Sequence, residues 1–312
     1  MINSTHIPVM MTQAIQALNV RDNLDYIDAT FGRGGYSKAI LDKANCNLLS
    51  IDKDLYVKKY AKQLKIKYKK RFSFVNSDFI QLESIIKKNK KTYINGGIVA
   101  DLGVSSMQLD DPNRGFSFNK DGPLDMRMSG EGITAQELIY SLTEKELAKI
   151  LWDYGEEKKS RAIAKVIVKE RNKELLDTTF KLVKIIKKVK KNYHQKKNHP
   201  ATKSFQALRI AINQELKALE EFLKASEKIL LPGARLVLIT FHSLEDRIVK
   251  VFFNKITGNI SNLNRHLPQS KEIQKIKFKI INKKPILPDL EEVKKNKRAR
   301  SAKLRIVEKV IV

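Results

Sequence analysis

Three glycines within four residues constrain this chain more than any other feature of its sequence. Gly32, Gly34 and Gly35 follow a short apolar run at residues 24–28 that ends on an acid, and a helical pattern begins at Ser37. Such a run predicts a strand, and the glycines let backbone N–H groups approach a ligand. The start of the next helix favours negative charge. The pattern predicts the nucleotide-binding corner of a doubly wound α/β sheet.

Four successive strand-like runs end on an acidic residue, and this pattern indicates which ligand the corner binds. The acids are Asp28, Asp52, Asp78 and Asp101. A dinucleotide fingerprint requires glycine or alanine where this chain has Ser37, whereas an acid after the second strand is placed to accept both ribose hydroxyls. Acids at neighbouring strand ends suit a cofactor with a cationic centre and a ribose. S-adenosylmethionine (SAM) therefore fits the sequence better than NAD.

The charge balance favours a polyanionic partner. The chain has 61 lysine and arginine residues against 34 acidic residues, a net charge of +27. Nucleic acid is the first candidate partner, and a merely solvated lysine surface is the alternative. No apolar run approaches the ~18 residues of a transmembrane helix. The single cysteine, Cys46, excludes an internal disulfide and a cysteine-rich metal site, and we expect a cytoplasmic protein.

The order of the patterns predicts a sheet domain with an insertion. Residues 24–104 alternate strand and helix four times, which is typical of parallel strands joined by crossover helices. After a turn-rich stretch, only helical patterns follow until about residue 200. We therefore predict a helical insertion at 111–200 within a core formed by residues 1–110 and 201–312.

The sheet pattern returns after the insertion. We expect one long helix at 204–230, a buried strand at 236–241 and a helix capped by Ser243. Two later segments, 275–281 and 303–307, alternate like strands and are expected to pair at the edge of a seven-stranded sheet.

A strongly cationic helix is predicted within the insertion, at residues 179–192. Its apolar residues share one face, and lysines cover the rest of its surface, at positions 181, 184, 187, 188, 190 and 191. This surface either contacts RNA or is simply solvated, and the sequence leaves both interpretations open.

Six segments, in order along the chain, carry a family resemblance. They are residues 28–37, 101–110, 114–118, 121–128, 199–209 and 241–249. The first reads Asp-Ala-Thr-Phe-Gly-Arg-Gly-Gly-Tyr-Ser, the fourth Asp-Gly-Pro-Leu-Asp-Met-Arg-Met and the last Phe-His-Ser-Leu-Glu-Asp-Arg-Ile-Val. Together the segments closely resemble the bacterial MraW/RsmH family, which methylates the N4 amine of a cytosine in 16S ribosomal RNA. The resemblance covers nearly the whole chain.

The resemblance implies a class I (Rossmann-like) SAM-dependent methyltransferase sheet with an inserted helical domain that recognises the substrate. The implied substrate is a cytidine in the decoding region of 16S rRNA, with the assembled small ribosomal subunit favoured as its context; the sequence leaves naked 16S rRNA open as the alternative. The implied cofactor contacts are Gly34, Gly35, Tyr36, Asp52, Phe79, Asp101 and Gln108. The glycines would bring amides to the methionyl part, Asp52 would take the ribose, and Phe79 would offer an apolar face to adenine. The family usually has His where this chain has Tyr36. A backbone contact survives that change, whereas a side-chain contact need not.

Asp101 is the residue that we expect to position the cofactor and the acceptor amine. It ends the fourth strand, where the methyl donor and the acceptor base would meet. The alternative is that its side chain only caps the following turn. Many amino-methyltransferases carry an Asn/Asp-Pro-Pro-aromatic loop at this point, and this chain has Asp-Leu-Gly-Val-Ser instead. The identity of the proton acceptor therefore stays open.

Other chemistries fit the sequence less well. Methylation of cytosine carbon 5 generally needs a cysteine nucleophile, and Cys46 precedes the second strand, opposite the cofactor end. His242 and Ser243 suggest a hydrolase, but adjacent residues seldom form a nucleophile–base pair; His242 is instead a candidate substrate contact. No metal site is expected, because no ligand spacing is present. Phe116 and Phe118 are candidates to hold an unstacked cytosine, with packing as the favoured alternative.

Alternative functions remain open at this stage. They are an NAD-linked oxidoreductase, a non-catalytic RNA-binding or ribosome-assembly factor, and a methyltransferase acting on another nucleic acid. No membrane partner is expected. A homodimer is left open.

Overall fold

The structure, a computed structural model, describes residues 8–89, 91–190, 199–259 and 276–311. The chain forms two compact units. The first, here called the sheet unit, comprises Met1–Gly103 and Leu216–Val312, and the second, the helical unit, comprises Val104–Glu215. The helical unit is larger than the predicted 111–200 segment, because Leu109 before it and Phe205 after it pack into the same helical core.

One seven-stranded sheet forms the centre of the sheet unit. Its strands are β1 (Asp25–Asp28), β2 (Asn47–Asp52), β3 (Phe72–Asn76), β4 (Gly97–Asp101), β5 (Arg235–Thr240), β6 (Phe278–Ile280) and β7 (Lys303–Lys309). The strand order is β3-β2-β1-β4-β5-β7-β6. Strands β1 to β5 are parallel, and β7 is antiparallel to both β5 and β6. The expected class I, Rossmann-like sheet is confirmed.

Helices account for most of the remaining described residues. They are α1 (Met11–Leu18), α2 (Gly35–Lys43), α3 (Lys58–Tyr68), α4 (Leu82–Lys88), α5 (Ser106–Asp110), α6 (Ala135–Ser141), α7 (Glu144–Asp153), α8 (Ser160–Arg171), α9 (Thr179–Val189), α10 (Thr202–Asn213), α11 (Glu215–Ile229), α12 (Ser243–Ile256) and α13 (Leu290–Lys295). None of these helices is long and apolar enough to cross a membrane.

The central strands are continuous apolar runs because both faces of the sheet are covered. Ile98, Val99 and Ala100 of β4 are fully buried, as are Val237 and Leu238 of β5. This pattern is typical of a parallel sheet with helices on both faces. It also fixes where polar side chains can lie, since only the strand ends leave the core.

The helix predicted over 204–230 is wrong, because the chain forms two helices there. Asn213 ends α10 and Glu215 begins α11, while Gln214 between them adopts left-handed backbone angles (φ 48°, ψ 37°). The Arg209 guanidinium pairs with the Glu215 carboxylate through bonds of 2.8 and 3.0 Å across this turn. Nothing in the apolar spacing marks the break, since neither glycine nor proline occurs there.

The last two strands form an antiparallel pair at one edge of the sheet, as predicted. Strand β7 lies between β5 and β6, so that β6 is the outermost strand on this side. The segment before β7 holds helix α13, which the sequence reading missed. Asp289 caps α13 by accepting from the Glu292 N–H at 2.7 Å.

The helical unit has its own apolar core. In α9, Leu182 and Ile186 are buried in that core, while Lys184 and Lys187 are exposed, so the predicted amphipathic helix is present. Lys190 is the exception, because its side chain is buried, pairs with Glu157 and donates to the Pro200 carbonyl oxygen at 2.7 Å. Lys191, also assigned to the cationic surface, lies outside the described residues.

Candidate cofactor site of the sheet unit

The glycine turn links β1 to α2 in a conformation that only small residues accept. Gly32 and Gly34 have φ angles of 52° and 78°. A Cβ atom on Gly34 would lie 2.8 Å from the Phe31 ring, and one on Gly35 would lie 2.2 Å from Pro8 Cγ. The chain itself therefore fills the space where these two Cβ atoms would lie, and only glycine allows such close packing directly before the start of α2.

Asp28 holds the glycine turn in place through hydrogen bonds of its carboxylate. Its Oδ2 accepts from the Ser37 hydroxyl at 2.6 Å, and its Oδ1 accepts from the Thr30 N–H at 3.2 Å. Ser37 Oγ also lies 2.8 Å from Ser50 Oγ, which ties α2 to β2. Burial raises the pKa of Asp28 to about 6, although the Ser37 bond opposes the shift. Asp28 is fully buried and serves as framework.

Asp52 connects the end of β2 to the glycine turn. Its Oδ2 accepts from the Gly32 N–H at 2.7 Å, and its Oδ1 accepts from the Asp54 N–H at 2.9 Å. Burial raises the pKa of Asp52 to about 6, with the two backbone bonds opposing the shift. Each oxygen has a second acceptor position, so the carboxylate is oriented and can still accept two hydroxyl groups.

Asp101 ends β4 and has a side-chain atom without a partner. Its backbone N–H donates to Thr30 Oγ1 at 2.7 Å, which fixes the strand end against the glycine turn. Its Oδ1 is buried and has no hydrogen-bond partner among the residues that the structure describes. Burial raises the pKa of Asp101 well above its usual range, and the negative charges of Asp28, Glu245 and Glu292 add to the shift. This orphaned oxygen fits a ligand that donates a hydrogen bond or carries positive charge.

The end of β5, next to β4, carries a second ordered carboxylate. Glu245 Oε2 accepts from the N–H groups of Phe241 and His242, at 2.8 and 3.3 Å. His242 is the N-cap of α12, since its Nδ1 accepts from the Glu245 N–H at 3.4 Å; the prediction that Ser243 caps this helix is wrong. His242 Nε2 lies 3.1 Å from Glu245 Oε1 without the alignment of a hydrogen bond.

Tyr36 points away from the open side of the turn. Its side chain is buried, and its hydroxyl donates to the Val9 carbonyl oxygen. Burial raises the pKa of Tyr36 well above its usual range, with negative charge from Asp101, Asp28 and Glu292 adding to it. The side chain thus holds residues 8–10 against the glycine turn. The predicted cofactor contact at this position is available only to the backbone.

Phe79 follows the end of β3 and is partly buried. Its ring packs edge-on against Phe222, with the ring centroids 5.1 Å apart. The preceding residue, Asp78, pairs with Lys53 at 3.1 Å, which joins the ends of β3 and β2. The ends of β2 and β3 are therefore held together by an ion pair, and the Phe79 ring beside them offers an aromatic surface.

Cys46 lies at the other end of the strands. It precedes β2, whose first residue pairs with the first residue of β1, and its buried thiol faces the Ile40 carbonyl oxygen at 3.8 Å. Burial raises the pKa of the Cys46 thiol. The residue is an apolar packing element and not an activated nucleophile.

Gln108 belongs to the helical unit, where its side chain is buried. Its Oε1 accepts from the Ser105 N–H at 2.9 Å, which completes the capping box of α5. Phe116 is buried in the core of the same unit, and the Phe118 ring stacks on His199 with centroids 4.6 Å apart. The two phenylalanines thus have packing partners within the helical unit, which agrees with the favoured alternative for them.

The structure brings four predicted site residues together around the glycine turn. The Gly32 N–H donates to Asp52, and Thr30 Oγ1 accepts from the Asp101 N–H. Both strand ends are therefore bonded to the turn that contains Gly34 and Gly35. Sequence reasoning missed Thr30, Glu245 and Glu292. The pattern His-x-x-Glu at the start of α12 and Asp-x-x-Glu at the start of α13 could have indicated the last two, because both spacings are typical of helix caps.

This arrangement fits SAM. The orphaned Asp101 oxygen, the start of helix α2 directly after the glycine turn and the oriented Asp52 carboxylate match a ligand with positive charge, a carboxylate and a ribose. No group of His, Cys, Asp or Glu side chains that could hold a metal ion occurs in the described ranges.

Comparisons with known proteins show the family to which this chain belongs. A model of the MraW methylase family matches residues 3–310. Ribosomal RNA small subunit methyltransferase H of Rickettsia massiliae (strain Mtu5) is 46% identical over 302 residues, which cover 96% of this chain and 97% of that protein. The protein of the same name from Ehrlichia canis (strain Jake) is 41% identical over 309 residues, which cover 98% of this chain and 100% of that protein. The similarity extends over nearly the whole of each chain.

Proposed function

Because the chain belongs to the MraW methylase family, we propose that it transfers a methyl group from SAM to the exocyclic N4 amine of a cytidine in 16S ribosomal RNA. It is a SAM-dependent methyltransferase of small-subunit ribosomal RNA. The observation that carries the amine as acceptor is the orphaned, buried Oδ1 of Asp101. The cytidine, its N4 atom and its place in the decoding region are the parts that require the experiment below.

Asp101 holds the acceptor amine in this proposal. Bound SAM supplies a methyl group activated by a sulfonium charge. Asp101 Oδ1 accepts an N–H of the amine, which directs the nitrogen lone pair and stabilises the N–H groups as they become more acidic during transfer. The bond from Asp101 N–H to Thr30 keeps the strand end fixed, so this oxygen needs little reorganisation.

Three further elements orient the donor. The N–H groups at the start of α2, from Gly35 onward, bind the methionyl carboxylate, and Asp52 accepts the ribose hydroxyls with its second acceptor positions. Phe79, whose ring is only partly buried, covers one face of the adenine. Gln108 remains a predicted contact of the donor.

A nitrogen acceptor is favoured over a carbon acceptor. Carbon-5 methylation of cytosine proceeds through a cysteine adduct, and Cys46 is buried at the opposite strand end. Direct transfer to an amine needs no covalent adduct, only positioning and hydrogen-bond acceptors. Asp101 provides such an acceptor.

The helical unit is proposed to recognise the RNA. Lys184, Lys187 and Lys188 are exposed on α9, and Lys188 has only a 3.6 Å contact with Glu170 to balance it. Exposed lysines on one helix suit phosphate contacts, which are strong at low salt and weaken as counterions compete.

The central experiment combines the protein, labelled SAM and small ribosomal subunits from a strain that lacks this methylation. After transfer, the RNA is digested and the labelled nucleoside is identified. We expect N4-methylcytidine at a single site, and more label on assembled subunits than on naked 16S rRNA. Label on a different nucleoside would reject the proposed acceptor, and preferential labelling of naked RNA would reject the assembled subunit as substrate.

A second experiment tests the RNA surface. The double variant K187E/K188E is expected to weaken RNA binding at low salt by about tenfold or more, since two phosphate contacts become repulsive. Its affinity for SAM should not change. K217E, on the exposed surface of α11 in the sheet unit, is the matched control. Equal loss of RNA and SAM binding, or equal loss in the control, would reject this surface.

A further inference from the structure

We propose that Glu292, on helix α13, recognises the positively charged amino group of the methyl donor. The inference rests on the proposed function, because it adds a cofactor-binding residue to the same site. Glu292 lies far along the chain from the glycine turn, and no strand-end pattern points to it. Its position follows from the contacts of one short segment, residues 8–10, here called the lead-in segment.

The lead-in segment connects Glu292 with the glycine turn. Pro8 packs so closely on Gly35 that a Cβ atom there would lie 2.2 Å from Pro8 Cγ. The Val9 carbonyl oxygen accepts from the Tyr36 hydroxyl, and the buried Met10 donates its N–H to Glu292 Oε1 at 2.5 Å. Three consecutive residues thus contact the turn, the start of α2 and Glu292. The carboxylate of Glu292 therefore lies beside the corner where the methionyl part of the donor is bound.

The charge of Glu292 is not balanced by an ion pair within the part of the chain that the structure describes. Among the described residues, no lysine or arginine forms an ion pair with it, whereas its neighbour Glu291 lies 3.7 Å from Lys295. Burial is the main cause of the raised pKa of Asp101, and the negative charge of Glu292 adds to it after those of Asp28 and Glu245. A carboxylate near other partly buried acids is destabilised unless a cation joins them. A bound ligand with positive charge would supply that cation.

The remaining acids already have other roles, which leaves the amino group to Glu292. Asp28 is fully buried and bonded to Ser37 and Thr30. Asp52 is oriented for the ribose, and the unpartnered Oδ1 of Asp101 is assigned to the acceptor amine by the proposed function. The donor's amino group is attached to the same carbon as the carboxylate that the turn binds. An acceptor beside the turn is therefore within reach of it.

The test uses substitution E292Q and two ligands. Glutamine keeps an oxygen that can accept from the Met10 N–H, so the lead-in segment stays in place and only the charge is lost. S-adenosylhomocysteine (SAH) has the amino group without the sulfonium charge, and 5′-methylthioadenosine lacks the whole amino-acid part. We expect E292Q to weaken SAH binding in calorimetry by about 10- to 100-fold, the range of a charged hydrogen bond. Binding of 5′-methylthioadenosine should change less than twofold.

Glu291→Gln is the matched control, since it removes a neighbouring, exposed carboxylate from the same helix. It should leave both affinities unchanged. A second variant, E292D, retains the charge and should keep the preference for SAH over 5′-methylthioadenosine, which also covers the case that E292Q does not fold.

Three results would overturn the inference. The first is an unchanged SAH affinity in E292Q. The second is an equal loss of affinity for SAH and 5′-methylthioadenosine in E292Q, which would indicate a purely structural role. The third is loss of the preference for SAH over 5′-methylthioadenosine in E292D. Wild-type protein that binds neither ligand would overturn the proposed function as well. Normal ligand binding without methyl transfer to RNA would reject the proposed substrate alone and leave the role of Glu292 standing.

Discussion

Ser37 should contribute to stability in a way that depends on pH. Its hydroxyl donates to the buried Asp28 carboxylate at 2.6 Å, and burial raises the pKa of Asp28 to about 6. The unfolded chain loses this proton near its ordinary value, so Asp28 destabilises the folded state increasingly as pH rises from about 4 to about 6. Ser37→Ala removes the bond that favours the ionised carboxylate. The pKa of Asp28 then rises further, and the loss of stability continues above pH 6.

The magnitude follows from the state of Asp28. Below pH 6 the carboxyl group is neutral, and loss of a neutral hydrogen bond costs about 1 kcal/mol. Above pH 6 the wild-type carboxylate is charged, and loss of a charged hydrogen bond costs about 1.5–3 kcal/mol. We therefore expect Ser37→Ala to lower the free energy of unfolding by about 1 kcal/mol at pH 5 and by about 2–3 kcal/mol at pH 8. The difference corresponds to about one further pKa unit for Asp28.

Urea unfolding of the donor-free protein at pH 5, 6.5 and 8 would measure this effect. The control is Ser50→Ala, which removes only the 2.8 Å contact between two hydroxyls. It should cost about 1 kcal/mol with little dependence on pH. A cost for Ser37→Ala that is equal at pH 5 and pH 8, or that falls as pH rises, would refute the reasoning.

Three further predictions follow from single features of the site and the fold. Tyr36→Phe removes the hydroxyl that donates to Val9, so the free energy of unfolding should fall by about 1 kcal/mol. The Kd for SAH, measured by calorimetry, should stay within twofold. A tenfold change in this Kd would contradict a contact made only by the backbone of Tyr36. Gln214→Gly relieves a left-handed backbone and should raise the free energy of unfolding in urea by about 1 kcal/mol, and a decrease would speak against strain there. SAH affinity should rise between pH 5 and pH 7.5, because Asp52, whose pKa is raised to about 6, accepts the ribose hydroxyls best when it is ionised; a flat calorimetric profile would contradict this.

The sheet could be predicted from the sequence because strand ends are marked strongly. β2 and β4 end on the predicted residues, Asp52 and Asp101, since each is a short apolar run ended by an acid. The break at Gln214 could not be predicted, because the apolar spacing continues through it and the turn is stabilised by the pairing of Arg209 with Glu215. A residue other than glycine that adopts left-handed backbone angles leaves no signal in composition or periodicity.

The candidate site could be predicted where one local segment forms it, but not where distant segments meet. Gly34, Gly35 and Asp52 belong to a turn and a strand end that are recognisable from spacing alone. The proposed role of Glu292 depends on its contact with Met10, from which it is separated by 282 positions in the chain. Tyr36 is a different case, because the sequence predicts that it follows the glycine turn but not where its side chain points. That direction depends on the hydrogen bond to Val9, which residue spacing does not encode.

The place of β7 in the sheet has a consequence for synthesis on the ribosome. β7 pairs with β5 on one side and β6 on the other, yet it follows both in the chain. Until residues 303–309 have left the exit tunnel, the nascent chain carries the apolar strand β5 with one unpaired edge. Such an edge is a template for pairing with other chains. Translation that stops between β6 and β7 should therefore yield aggregating fragments, whereas the arrival of seven late residues closes the sheet.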